Sequence, residues 1–272
     1  MNAKNRNLTV LTECSIMIAL STVLSLFKLF EMPYGGSITL CSMLPIVTVA
    51  YRHGVKNGLF AGCCTAFMQM LLGLKNFSYF STWQSLLALA ALDYFAAFAV
   101  FGLCGIFRKR MKNQSLSLTA GAFFASLLRY ICHTISGATV WAGLSIPSGA
   151  ALVYSLSYNA TYMIPETVIL LLCAMYFGSA VDLESRIPTR KKSEKLDTAG
   201  IYCLIGAGFT MLGALIACTV LVFSKLQNPD SGELDITALA EVNWVAVCLV
   251  ALIGFVIAAA LAVYTKIRSK KK

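Results

Sequence analysis

The sequence predicts an all-α integral membrane protein, and three observations carry that expectation. Of the 272 residues 58% are apolar and 12% charged, about half the roughly 25% charge of soluble domains. The mean hydropathy is +0.75. Eight apolar runs near the roughly 20 residues that cross a bilayer follow one another along the chain. Backbone groups in lipid must be satisfied internally, and the alternating segments of about ten residues that build a barrel are absent, so the spans are helices.

The runs lie at 8–30, 37–51, 57–73, 83–107, 115–141, 153–181, 199–223 and 242–264. The first follows Lys4 and Arg6, but its apolar run is too long for a signal peptide and no cleavage site leads into a polar mature domain. The second is the shortest, and the third carries Asn57, Gln69 and three glycines. Spans four, five and six hold Asp93, then Arg129 and His133, then Tyr154, Asn159 and Glu166. The last two contain none of these groups.

Basic residues orient the bundle. Twenty-two Lys and Arg against twelve Asp and Glu leave a formal charge of +10, which in a soluble chain raises nucleic acid as a partner. With connections numbered alternately, however, eighteen of the 22 fall at the N-terminus, in the second, fourth and sixth loops and in the tail. Only Lys28, Lys75, Arg129 and Lys225 lie elsewhere. That partition predicts both termini in the cytoplasm and removes the need for nucleic acid. Anionic lipid is a further partner open to the Lys-rich tail.

The stretch DLESRIPTRKKSEKLDT is the most polar of the chain. It predicts three parts: a six-span domain at 1–182, a charged cytoplasmic linker at 183–198 and a two-span extension at 199–272. No repeat relates the halves, so the inverted repeats of many transporters are not visible. All ten cysteines fall inside expected spans, where they behave as small apolar residues, and neither a disulfide framework nor a metal pattern is expected. The nucleotide-binding G-x-x-x-x-G-K-[ST], H-E-x-x-H and G-x-S-x-G patterns are absent, which predicts neither ATP hydrolysis nor an enzyme.

Charges at bilayer depth cost about 2.5–3.5 kcal/mol or more each and are functional candidates by default. Orientation gives them depth. Asp93 lies about 15 Å below the outer end of its span at 1.5 Å per residue. Arg129, His133, Gly137 and Trp141 recur every fourth residue and form one stripe rising to the outer surface. Tyr154 and Asn159 begin the next span in the same outer half. A carboxylate, an imidazole, an amide, a phenol and indole rings at one depth describe a small-molecule pocket. Aromatic faces and a buried carboxylate suit a flat, cationic heteroaromatic solute. Plainer roles stand beside this one. Trp83 and Trp141 are at helix ends, where interfacial belts collect tryptophan; His133 is equally placed to donate to a backbone carbonyl; Asp93 is equally placed to pair with Arg129. Glu166 follows Pro165 and can bond backbone groups freed at the kink, and Glu13 is near enough to the cytoplasmic end to snorkel.

The strings MPYGGSITLCSMLPI, YRHGVKNGLFAG, ALDYFAAF, RYICHTISGATVWAG and YSLSYNATYMIPE resemble the ThiT family, the thiamine-specific S-components of energy-coupling factor (ECF) transporters, over about the first 182 residues. H-x-x-x-G-x-x-x-W followed by Y-x-x-x-x-N is the most specific part. The resemblance implies a six-helix, S-component-like bundle in a bacterial plasma membrane; the two additional C-terminal transmembrane helices, expected from hydropathy, lie outside that pattern. Such a subunit takes thiamine from outside, has no cofactor, and depends on a transmembrane coupling subunit and two ATPase subunits. It also implies roles. Asp93, where the family more often has Glu, would hold the aminopyrimidine, with Tyr94 beside it. His133, Gly137 and Trp141 would flank the thiazolium, while Tyr154 and Asn159 would hydrogen-bond the ligand. Arg129 falls where the family can have Lys, and Trp83 where it can have Tyr. The segment 31–36 corresponds to a gate, with Gly35 and Gly36 suited to a hinge and Tyr34 as its lid aromatic. Ser15, Ala19 and Val23 occupy the spacing of the family's alanine contact to the coupling subunit. The rival reading from the residues alone is a self-sufficient proton-coupled carrier in which Asp93, His133 and Glu166 relay protons.

Overall fold

A computed structural model describes residues 3–32, 35–142, 151–191, 198–226, 238 and 241–270. The chain separates into two compact units, Met1–Lys191 and Lys192–Lys272. Among the described residues, five helical segments are long and apolar enough to cross a membrane: Asn7–Leu26, Trp83–Arg108, Gln114–Thr139, Ala151–Ala180 and Trp244–Thr265. A shorter apolar helical stretch covers Gly206–Val222.

The first unit opens with α1 (Ala3–Leu26), whose Ser21 is buried and donates to the Ser42 carbonyl at 2.7 Å. Ser15, Ala19 and Val23 lie on the exposed face of this helix. The chain then forms an antiparallel hairpin of β1 (Lys28–Glu31) and β2 (Ser37–Thr39), with Lys28 opposite Thr39 and Glu31 opposite Ser37. The expected second span therefore begins as a strand. Its helix starts only at Leu44, with Pro45 in the first turn, where the missing N–H would have no partner in the helix anyway.

α2 (Leu44–Leu72) is two helices joined at Gly54, which adopts φ 83° and ψ 174°, a conformation essentially reserved for glycine. The chain folds back there. Eight residues of straight helix span about 12 Å, yet a Cβ added to Gly58 would stand 2.6 Å from the Ala50 Cβ. Residues 44–53 alone reach about 15 Å at helical rise, too little for a crossing. The expected second and third spans are thus a folded pair.

The fourth expected span changes winding along its length. It is α-helical at α3 (Trp83–Leu89), π-helical at Ala90–Ala96, briefly α-helical at α4 (Ala97–Ala99) and 3-10 helical at Val100–Lys109. Its 3-10 part lies almost backbone to backbone on α2, since a Cβ on Gly102 would strike the Leu59 amide nitrogen. Close approach through small residues replaces hydrophobic drive between helices in lipid. α5 (Gln114–Thr139) is capped by the Asn113 side chain, which accepts from the Leu116 amide. It packs along α6 (Ala151–Ala180), which contains Pro165.

The described part of the polar stretch after α6, residues 181–191, is held against the helices. β3 (Val181–Asp182) pairs with β4 (Thr189–Arg190). Arg52, whose side chain is 6% exposed, donates to Glu13 and to the carbonyls of Leu183, Ser185 and Arg186. Glu13, with its side chain 22% exposed, also meets His53 at 2.6 Å, so it is half-buried in a charged cluster. The expectation of ten unpaired cysteines is corrected: Cys41 and Cys173 are joined in a disulfide. The turn before α2 brings Cys41 against α6, a pairing across 132 residues that spacing cannot reveal.

The second unit consists of α7 (Thr198–Leu226) and α8 (Trp244–Lys270), which pack on each other. A Cβ added at Gly254 would strike the Ala214 Cβ, so the two helices approach closely there.

Candidate functional site

A cavity of about 250 Å³ lies within the first unit, lined from β1, β2, α2, the π-helical turn, α5 and α6. Asp93 is at its centre of charge. The π-helical turn that carries it inserts an extra residue into the helical ladder, an arrangement that recurs at functional sites because it re-aims a side chain. The carboxylate receives three donors: His133 Nδ1 at 2.8 Å on Oδ1, and Ser136 Oγ at 2.7 Å and Trp141 Nε1 at 2.9 Å on Oδ2.

Geometry assigns the histidine proton. Arg129 Nε lies 3.3 Å from His133 Nε2, and a guanidinium only donates, so Nε2 accepts and the proton resides on Nδ1, facing Asp93. His133 is therefore a neutral imidazole held between a cation and an anion. Arg129 in turn pairs with Glu166 at 2.9 Å and lies with its guanidinium carbon 4.8 Å from the Phe98 ring centroid.

Eight of the ten pocket residues expected from sequence line this one cavity: Asp93, Tyr94, Arg129 and His133, together with Gly137, Trp141, Tyr154 and Asn159. Not all point polar atoms into it. Asn159 spends its amide on the Ser155 carbonyl at 2.9 Å and accepts from the Tyr162 hydroxyl at 2.6 Å. Tyr94 donates to the Gly73 carbonyl, accepts from Asn76 and stacks on Phe77 at 5.7 Å. Tyr154 stacks on Tyr158 with the rings 12° from parallel. Trp141 is packed edge-on against Phe80 at 4.9 Å.

Trp83 is not brought to the site. It stands 66% exposed at the start of α3 and does not line the cavity, as the interfacial role of a helix-end tryptophan requires. Tyr34 lies outside the described residues. The hairpin that flanks it does line the cavity, through Lys28, Glu31 and Thr39. There Glu31 receives Lys28 at 2.8 Å and Lys75 at 3.2 Å, linking the hairpin to the 3-10 helix Leu74–Tyr79. The Lys28 and then the Lys75 ammonium hold the Glu31 carboxyl below its ordinary range.

Sequence reasoning missed Ser136, Tyr162, Gln69 and Asn76. Ser136 had a signal: it lies three residues after His133 and so shares its helix face. Tyr162 had the same signal, three residues after Asn159 on α6; Gln69 and Asn76 reach the cavity from α2 and the 74–79 segment, and nothing local marks them.

Comparison with known proteins came to the same region of the chain. The family model described as "Thiamine transporter protein (Thia_YuaJ)" matches residues 11–182. The thiamine transporter ThiT of Bacillus subtilis (strain 168) is 36% identical over 196 residues, covering 67% of this chain and 97% of that protein. A solved structure of ThiT from Listeria monocytogenes superposes with a TM-score of 0.53 at 22% identity, over 64% of this chain and 94% of the other. At that identity the superposition speaks for the fold.

Proposed function

Because this chain belongs to the thiamine transporter family, we propose that its cavity binds thiamine at the extracytoplasmic face and that the chain acts as the substrate-binding subunit of an ECF-type importer. The chain is a multi-pass membrane transporter and not an enzyme. The observation that supports the binding site is the meeting of Asp93, His133 and Trp141 in one cavity. A carboxylate fixed by three donors is preorganised to accept from the amino group of an aminopyrimidine at its remaining lone pair. The faces of Trp141 and the neutral His133 beside it suit a thiazolium cation.

The distribution of basic residues supports the orientation, placing the hairpin end of the first unit outside and both termini in the cytoplasm of a plasma-membrane protein. The lack of a phosphate-binding loop supports dependence on separate ATPase subunits and a coupling subunit. The exposed stripe of Ser15, Ala19 and Val23 on α1 is the proposed contact to the coupling subunit. In the same reading residues 1–182 are the binding domain, 183–198 a linker and 199–272 an accessory pair of spans, with thiamine as ligand and no cofactor.

The polar chain from Asp93 to Glu166 weighs against a self-sufficient proton-coupled carrier. Its third member is Arg129, which stays charged and cannot accept a proton, so the chain is broken as a relay between His133 and Glu166. Titration of purified protein with thiamine by calorimetry tests the binding; no heat and no tryptophan quenching at micromolar protein would sink it. Liposomes holding the protein alone test the subunit reading, and thiamine accumulation driven by a proton gradient without ATPase subunits would overturn it.

A further inference from the structure

Glu166 stands in the cavity wall, and thiamine recognition as described assigns it nothing. It follows Pro165 within α6, yet neither oxygen serves backbone freed by the proline. Oε1 accepts from Thr39 Oγ1 at 2.6 Å and Oε2 accepts from Arg129 Nη1 at 2.9 Å. The pair is buried at both ends, with side-chain exposures of 11% for Arg129 and 10% for Glu166.

The consequence is a charge balance. Asp93, Arg129 and Glu166 are the formal charges of the inner wall, and His133 between them is neutral by the hydrogen-bond directions. Lys28, Glu31 and Lys75 also line the cavity, but their side chains are 39–67% exposed and solvent screens them. With Glu166 ionised the inner wall carries one negative charge; without it the wall is neutral and Arg129 is unpaired. A unit charge at such burial acts on a ligand far more strongly than one in water. An unpaired Arg129 would also repel a cationic ring directly, and it sits one side chain away from Asp93 through His133.

We propose that Glu166 is a specificity-determining residue: by neutralising Arg129 it leaves Asp93 as the uncompensated charge of the pocket, so that a cationic ring is chosen over an uncharged ring of the same shape. It acts through Arg129, as a positioning residue. The proposal rests on the thiamine reading of the site.

The test compares two ligands on full-length protein in detergent by calorimetry at pH 8.5. One is thiamine and the other its uncharged analogue with a thiophene in place of the thiazolium. The quantity read is the ratio of the analogue's Kd to that of thiamine. Glu166→Gln is expected to cut the wild-type ratio about tenfold or more, the scale of one buried charge acting on another. Arg129→Gln is expected to raise it by a similar factor, since Glu166 then adds to Asp93. The double variant, with Asp93 as its one inner charge, is expected to return within about threefold of the wild-type ratio even where both affinities have weakened. A packing role would weaken both ligands together and leave the ratio alone. A ratio in Glu166→Gln within about twofold of wild type overturns the proposal. So does a ratio in Arg129→Gln no higher than wild type, which also carries the test should Glu166→Gln not fold. Wild-type protein that binds neither ligand would instead defeat the thiamine reading.

Discussion

The Trp141 indole Nε1 donates to Asp93 Oδ2 at 2.9 Å across 48 residues of chain. An ionised carboxylate offers about four lone-pair sites, and His133, Ser136 and Trp141 already occupy three. A ligand bringing two donors must displace one, and the indole, near the end of the α5 stripe, is the donor best placed to yield. Trp141→Phe keeps the aromatic face and removes the N–H, so thiamine affinity should stay within about fivefold of wild type. Trp141→Ala removes the face and should weaken binding roughly 10–30-fold, the scale of a desolvated cation–π contact. Equal losses in the two variants, measured by calorimetry, would show that the ring face is not the contact.

Arg52 satisfies Glu13 and three carbonyls of the segment after α6 at once. Glu13 is 22% exposed and keeps its contact to His53, so losing Arg52 costs less than the roughly 3–5 kcal/mol of a fully buried pair. Arg52→Met should lower thermal stability in detergent and speed tryptic cleavage at Arg186 and Arg190. Cleavage at the wild-type rate would mean that other contacts hold this segment.

Glu31 ties the hairpin to Lys75, and its carboxyl is depressed in the folded protein by Lys28 first and Lys75 second. A depressed acid contributes stability above its unfolded pKa of about 4.5 and loses it as pH falls through the lower folded value. The contact is therefore constant from neutral pH down to about pH 5 and is lost only in acid, as pH falls through the lowered folded value below 4.5. Thiamine dissociation followed by stopped-flow fluorescence should accelerate in that acid window. Glu31→Gln should show the faster release already at pH 7, with the acid effect diminished. An unchanged rate in Glu31→Gln would separate the hairpin contact from ligand release.

Gly54 is the pivot of α2, at φ 83° and ψ 174°. Nothing lies within 4 Å of a Cβ added there, so Gly54→Ala probes backbone strain without a clash. The expected cost is about 1–3 kcal/mol, read as a lower melting temperature. Gly208→Ala in α7 likewise meets no neighbour, and as a glycine inside a helix it should be neutral or slightly stabilising. Equal effects at the two sites would remove the strain argument.

Among the described residues, every one that lines the cavity lies at or before Glu166, and the first compact unit ends at Lys191. A chain ending at Lys191 should bind thiamine within about threefold of the full-length affinity, since no pocket contact is lost. A larger loss would give the last two helices a part in the site.

The stripe of Arg129, His133, Gly137 and Trp141 was legible because helical periodicity is local: residues four apart share a face wherever the helix goes. Depth in the next span and the resemblance, not periodicity, placed Tyr154 and Asn159. Trp83 came from the resemblance alone and stands away from the cavity, because a helix-end tryptophan looks the same from sequence whether it faces a ligand or lipid headgroups. Hydropathy failed for the second span, where it registered apolar residues without seeing that 37–39 pair with β1 and that Gly54 turns the chain back.

By itself the sequence determined that lipid solvates this chain, which segments are apolar enough to span it, and which few polar residues must be accounted for at depth. Hydropathy and helical period decide these, and both are properties of neighbouring residues. Tertiary structure alone decided that Asp93 is bound three times over, that Arg129 belongs to Glu166 across 37 residues, and that Thr39 reaches Glu166 across 127. Those pairings depend on which helices lie side by side. In a membrane that choice is made by the close fit of small residues such as Gly58 and Gly102 against facing backbone, and not by how apolar the helices are.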